Sequence, residues 1–318
     1  SDGSVVAIGA YQNDGNGNSS GHVRIYENNN GTWTQIGNDI DGESSYYYSG
    51  QSVSLSSDGS VVAIGEHNAY GTSSNAGQVR VYENNNGTWT QIGDDIHGEA
   101  YADYSGHSVS LSDDGSVVAI GAYGNDGNGS NSGHVRIYEN DNGTWTKIGD
   151  DIDGEAANDY LGYSESGSAV SLSSDGSVVA IGAIYNDGNG TNSGHVRIYQ
   201  NDNGTWTKIG DDIDGESSYD YSGSSVSLSA DGSVVAIGAY GDDGTSSDAG
   251  HVRIYQNIDG TWTQIGDDID GEAHYDYSGW SVSLSSDGSV VAIGAKHNDG
   301  GGTYSGHVRL YKNINETW

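Results

Sequence analysis

The sequence predicts an all-β fold built from a repeated antiparallel unit, and three observations carry that prediction. A DGSVVAIG stretch recurs at Asp2, Asp58, Asp114, Asp175, Asp231 and Asp287, at intervals of 56, 56, 61, 56 and 56 residues. Trp33, Trp89, Trp145, Trp206, Trp262 and Trp318 repeat in the same register, each after a threonine. Within each unit, SVSLS, VVAIGA and HVRIY place Val, Leu and Ile at every second position, the period of a strand with two unlike faces. A fixed period of this length is the mark of a repeat architecture. A residue that recurs in every repeat is there first of all to build the repeat.

Residues 107–162 serve as the type unit. HSVSLS (107–112) is a strand, DDGS (113–116) a tight turn and VVAIGA (117–122) a second strand. A loop, YGNDGNGSNSG (123–133), leads to a third strand, HVRIYEN (134–140), and an Asp-Asn-Gly turn leads to a fourth, TWTKIG (144–149). Asn-Gly and Asp-Gly between alternating runs are strong hairpin signals because these residues tolerate positive φ. An acidic connector, DDIDGEAANDYLG (150–162), reaches the next unit. Four short antiparallel strands per repeat, without helical periodicity, describe a blade of a β-propeller, innermost strand first and tryptophan strand outermost. The expectation is one domain over 1–318, of about six four-stranded blades with phases starting near 1, 57, 113, 174, 230 and 286. The five extra residues of the long interval fall near Leu161 to Ser168 and should lengthen a loop on the top or bottom surface. The first and last blades come out incomplete. The expected outcomes are a cut from a seven-bladed or longer array, an imperfectly closed ring, or completion by a neighbouring chain.

Composition narrows the partners. The formal charge is −35, from 45 acidic residues against 10 Lys plus Arg. Phosphate backbones and anionic membrane surfaces are repelled, so neither nucleic acid nor membrane insertion is expected. Hydrophobic residues make up only 33%, but 52 glycines allow sheets to pack closely without a large leucine core. Cysteine is absent, so no disulfide framework exists.

The run DYSG-x-SVSLSSDGSVVAIGA, followed by SGHVRIY, resembles the FG-GAP repeat of integrin α-chain propellers, and is similar to repeat arrays of secreted and surface proteins of marine bacteria and algae. The resemblance covers nearly the whole chain and implies an extracellular or cell-surface propeller. The Phe of the FG element is replaced by Ser (Ser105-Gly106, Ser222-Gly223), and the Pro of GAP by Tyr123, Ile184, Tyr240 or Lys296. The calcium loop that integrin-type repeats carry between the first two strands is reduced to SSDGS, which leaves Asp58 and its equivalents few neighbouring oxygens.

Calcium needs six to eight oxygens on a flexible loop. The second-to-third strand loops offer Asp14, Asp126, Asn128, Asp187, Asn189, Asp243 and Asp299 as candidate ligands, and the connectors offer further carboxylates such as Asp150, Asp151, Asp153 and Glu155. His22, His134, His195, His251 and His307 precede Val-Arg, with Gln78 in the second repeat. Their arginines (Arg24, Arg80, Arg136, Arg197, Arg253, Arg309) read as structural partners of carboxylates of the same or the next blade. The recurrent tryptophans read as blade packing. Tyr104, Tyr221, Tyr277 and Trp280 are candidate ligand-stacking residues, because these aromatics offer a flat face with a polar edge. Sequons at Asn18, Asn30, Asn86, Asn128, Asn142, Asn189, Asn203 and Asn315 are glycosylation candidates in a secreted chain. Residues that differ between repeats, such as Glu66, His67, His97, His274, His297 and Trp280, read as scattered in loops. No nucleophile, base and orienting group stand out, so no enzyme is expected. The expected function is an extracellular structural or adhesive module presenting acidic and aromatic loops to glycans, surface proteins or identical chains. The alternative is a carbohydrate-binding propeller; calcium is the candidate cofactor, and otherwise none is expected.

Overall fold

A computed structural model describes residues 3–318; Asp2 of the first turn lies outside them. The chain is all β, six blades in a propeller arrangement. The type blade, blade 3, runs Ser108–Leu111, Val117–Ala122, His134–Asp141 and Thr144–Lys147 in spatial order, all antiparallel. These match the strands expected from alternation. The connector adds a two-residue strand, Ile152–Asp153, that pairs with the start of the third strand as Val135↔Ile152 and His134↔Asp153. Alternation cannot announce a strand of two residues, which is why the sequence left it in the connector. Blade 1 lacks an inner strand among the described residues, and blade 6 holds three strands, Ser278–Leu284, Val290–Ala295 and His307–Lys312.

The core lies between blades. Val135, Ile137 and Ile152 of blade 3 meet Val170, Leu172, Val179 and Ile181 of blade 4, all buried, and the same set recurs at the other junctions. Both faces of a middle blade are covered, so Val62, Ala63 and Ile64 are each at 0% exposure despite alternating around the sheet. Close approach requires glycine at one position: a Cβ on Gly65 would collide with the carbonyl oxygen of Gly106 in the next blade.

Side chains stitch the junctions. Trp145 Nε1 donates to the carbonyl of Ile92 in the preceding blade at 2.9 Å, and Trp89, Trp206, Trp262 and Trp318 repeat this bond at 2.9–3.0 Å. Around the channel, backbone bonds link successive turns, Ser57 N to Asp113 O, Asp113 N to Ser174 O, Ser174 N to Ala230 O and Ala230 N to Ser286 O. The outward faces of the end blades are exposed, with Ile8 and Trp33 on blade 1 and Val308 and Leu310 on blade 6.

Each strand direction fixes what lies at each mouth of the channel. Inner strands run toward the Asp-Gly turns, where Asp113, Ser174, Ala230 and Ser286 line an open cavity of about 600 Å³. Connectors and the loops after the second strand gather at the opposite mouth.

Candidate functional site

The connector mouth collects aromatic rings from every blade. Each connector ends on a tyrosine in the left-handed region: Tyr48, Tyr104, Tyr160, Tyr221 and Tyr277 have φ of 57°, 56°, 53°, 55° and 54°. Bulky residues seldom adopt this conformation, and such strain concentrates at functional sites. A Ser-Gly or Leu-Gly pair follows, then one position that differs in every blade: Gln51, His107, Tyr163, Ser224 and Trp280. The residue two past the second-strand glycine also varies: Tyr11, His67, Tyr123, Ile184, Tyr240 and Lys296. Otherwise the blades are nearly interchangeable.

These variable positions meet. Tyr123 stacks on Tyr104 with ring centroids 4.9 Å apart and planes 3° apart, and Tyr240 stacks on Tyr221 at 5.2 Å. His107 lies edge-on to Tyr123 at 4.7 Å, against Tyr163 at 4.9 Å and against His67 at 5.3 Å. Trp280 packs on Tyr240 at 4.9 Å, and Lys296 lies over the Trp280 ring. Burial pushes His67 down to about 4, and burial followed by the neighbouring His67 pushes His107 down to about 3. The Nδ1 atoms of both are buried without a hydrogen-bond partner. Burial raises the phenols of Tyr123 and Tyr240, and that of Tyr185 to about 12. At neutral pH the phenols, the indole and the buried imidazoles of this mouth are uncharged, and its charges are Lys296, over the Trp280 ring, and Glu165, 3.8 Å from it.

The five-residue insertion closes over it. Ser164 Oγ donates to Ser224 O in blade 5, Val226 N donates to Ser168 O at 2.9 Å, and Glu165 reaches Lys296 of blade 6. On the other side, a Cβ added to Gly167 would stand 3.3 Å from the carbonyl oxygen of Gln51 and 3.5 Å from that of His107. The segment 161–168 thus spans the mouth from blade 2 to blade 6, beyond the lengthened surface loop that spacing predicts.

Tyr104, Tyr221, Tyr277 and Trp280, the aromatics singled out from sequence, all stand in this belt. His67, His107, Tyr123, Tyr163, Tyr240 and Lys296 were missed or read as scattered. Aligning the six repeats and asking which columns differ finds them, because in a repeat protein a column free to vary is released from building the blade.

The loop residues expected to bind calcium also help to close their own loops. Asp14, Asp126, Asp187, Asp243 and Asp299 each accept, through Oδ1, the backbone N–H five residues on, at 2.6–2.9 Å. Asn128 and Asn189 donate to the carbonyls of Gly154 and Gly215, both at 2.9 Å. Among the described residues, convergent ligand sets form elsewhere, around the histidines: Glu99, His134 and Asp151; Glu155, His195 and Asp212; Glu216, His251 and Asp268; Asp242, His251 and Asp270; His22, Asp39 and Asp41. A histidine nitrogen suits zinc or manganese better than calcium. Arg136 pairs with Glu99 at 3.1 Å and Lys147 with Asp151, so most of these carboxylates already face a cation. Each middle arginine also donates to a carbonyl of the preceding blade, not the next one: Arg136 to His97, Arg197 to Asp153 and Arg253 to Asp214.

The eight sequon asparagines are all exposed. Asn30, Asn86, Asn142, Asn203 and Asn315 have φ of 51–53°, as the hairpin turn demands. The amides of Asn128 and Asn189 are engaged as above.

A family model described as the FG-GAP repeat matches residues 97–138 and 268–311, from the two-residue strand of one blade to the third strand of the next. No curated protein matches the chain. Among solved structures, one named as a candidate 6-phosphogluconolactonase from Bacteroides uniformis is 12% identical, with a TM-score of 0.62 over 97% of this chain and 78% of that one. A periplasmic gluconolactonase from Pseudomonas aeruginosa is 14% identical, with a TM-score of 0.56 over 91% and 74%. TolB from Acinetobacter baumannii is 14% identical, with a TM-score of 0.51 over 92% of this chain and 57% of that one. At such identities the likeness is one of fold. It nevertheless corrects the expectation that no enzyme is at hand: two similar structures carry lactonase names, and two of the unlike residues read as scattered, His67 and Trp280, stand in the aromatic belt of one mouth. Among the described residues, no helix is long and apolar enough to cross a membrane. Two stretches of the chain, 97–138 and 268–311, match the FG-GAP repeat, and they sit on a six-bladed β-propeller.

Proposed function

We propose that the chain is an adhesive binding module of a secreted or periplasmic protein, and that it takes a neutral carbohydrate at the connector mouth. One observation carries this reading: a protein of charge −35 gathers a belt of tyrosine, histidine and tryptophan rings at a single site whose one charged pair, Glu165–Lys296, is mutually neutralised. Sugar rings present C–H faces that stack on aromatic rings and hydroxyls that meet phenol and imidazole edges. The FG-GAP repeats and the periplasmic setting named for one similar structure support the location.

A glycan array followed by calorimetric titration of the best neutral oligosaccharide tests it. Trp280→Ala should weaken binding about tenfold, the loss of one stacking face. Trp33→Ala, on the exposed face of blade 1, should leave binding unchanged. An empty array, or equal losses in the two variants, would overturn the proposal. Hydrolysis of a sugar lactone at this mouth would replace binding by catalysis.

A further inference from the structure

The blades carry their own comparison at the start of the third strand, away from the aromatic mouth. In blade 2, Glu66 sits across the ladder from Gln78, whereas blades 3 and 4 pair Ala122 with His134 and Ala183 with His195. Arg80, Arg136 and Arg197 lie two residues further along the same face. Glu66 is wholly enclosed, at 0% exposure. Its carboxylate accepts from Gln78 Nε2 at 2.7 Å and from Arg80 Nε at 3.1 Å, and also meets Arg80 Nη2.

Blades 3 and 4 keep the arginine and remove the carboxylate. The outer guanidinium nitrogens stay engaged: Arg136 Nη2 with His97 O at 2.8 Å and Nη1 with Glu99, Arg197 Nη2 with Asp153 O at 2.7 Å and Nη1 with Glu155. The Nε atoms of Arg136 and Arg197 and the Nε2 atoms of His134 and His195 are buried with no hydrogen-bond partner. The histidines are 1% exposed and the arginines 5%. A buried donor on a charged group that makes no bond is costly and rare, and the same pair of orphans occurs in blades 3, 4 and 5.

We propose that the His134–Arg136 and His195–Arg197 sites each bind a small carboxylate anion in the place that the Glu66 side chain fills in blade 2. Beyond its Cβ, a glutamate is a CH₂ and a carboxylate, so acetate and formate are the size that fits over Ala122 and Ala183. Arg Nε–H donates to one oxygen. Nδ1 of His134 lies 3.6 Å from Asp151 and that of His195 3.9 Å from Asp212, beyond hydrogen-bond length, so a neutral ring can carry its proton on Nε2 and donate to the other. Blade 5 shares both orphans, Arg253 Nε and His251 Nε2, but His251 Nδ1 lies 3.1 Å from Asp242, which claims the ring proton and leaves Nε2 no hydrogen to donate. Two sites are therefore counted, not three.

The test is thermal melting in sodium formate or acetate against sodium chloride at equal, screening ionic strength, since the overall charge of −35 opposes any anion. The wild type should melt higher in formate than in chloride. The double variant Ala122→Glu and Ala183→Glu should lose that increment, having supplied both carboxylates itself. Glu66→Ala should melt lower in chloride and recover in formate. Carbon-13 formate NMR on the wild-type chain gives a count that does not depend on any variant folding, with two bound per chain expected. Equal melting in formate and chloride, an increment that survives the double variant, or no bound formate overturns the proposal.

Discussion

His67, His107, His134 and His195 are buried and held at about 4, 3, 4 and 4 by that burial. In the unfolded chain each titrates near 6.5, so the unfolded state takes up protons first as pH falls. Stability is therefore complete above about pH 6.5 and is lost as pH drops toward 4. The turn aspartates act lower. Hydrogen bonds from the flanking serines hold Asp58 and Asp231 below the ordinary carboxylate value and Asp287 at about 2, so their contribution is present above pH 4 and disappears as pH falls through the folded values. Partial desolvation raises the exposed Asp153, Asp214 and Asp270 and the buried Asp220, and these work in the opposite sense. Calorimetry should show Tm falling between pH 6.5 and 5, with a shallower fall in His107→Gln, which removes one imidazole from the balance. Parallel curves for the two proteins would show that His107 is not held neutral by the fold.

Among elements, the outer strand gives the sharpest contrast. Trp145 is half-buried and donates across the junction to Ile92, whereas Trp33 occupies the same repeat position with 47% exposure and no blade against it. Trp145→Ala should cost about 2–3 kcal/mol through lost packing and a lost bond, and Trp33→Ala about 0.5 kcal/mol or less. Urea titration of both variants checks this, and equal losses would mean that the tryptophans act within blades and not between them. The strap at 161–168 belongs to this scale as well. Shortening it to the common 56-residue spacing should leave the fold intact, because the other intervals lack it, and should uncover His107. Solvent isotope exchange at the His107 ring measures that exposure; an unchanged rate would deny the strap its covering role.

At the scale of the molecule, 45 acidic residues against 10 Lys plus Arg repel one another across a compact ring. Like-charge repulsion destabilises the folded state more than the expanded one, and salt screens it. Tm should therefore rise between about 10 mM and about 150 mM sodium chloride, over which the Debye length falls from about 30 Å to about 8 Å. A Tm that falls with salt would mean that pairs such as Arg136–Glu99 outweigh the net repulsion.

The sequence alone determined the blades, because strand period, Asn-Gly turns and the recurring tryptophans are local signals that each repeat states again. It also placed Tyr104, Tyr221, Tyr277 and Trp280 as candidates, since aromatic residues in connectors are conspicuous. Only the tertiary structure decided what those residues make together. Rings from all six blades gather at a mouth that no single repeat contains, and the insertion at 161–168 touches blades 2 and 6 only because the sheet stack curls around an axis. The same holds for the loop aspartates, whose role in closing their loops appears only in the folded chain, and for Arg136 and His134, whose unmet bonds exist only once the blades enclose them.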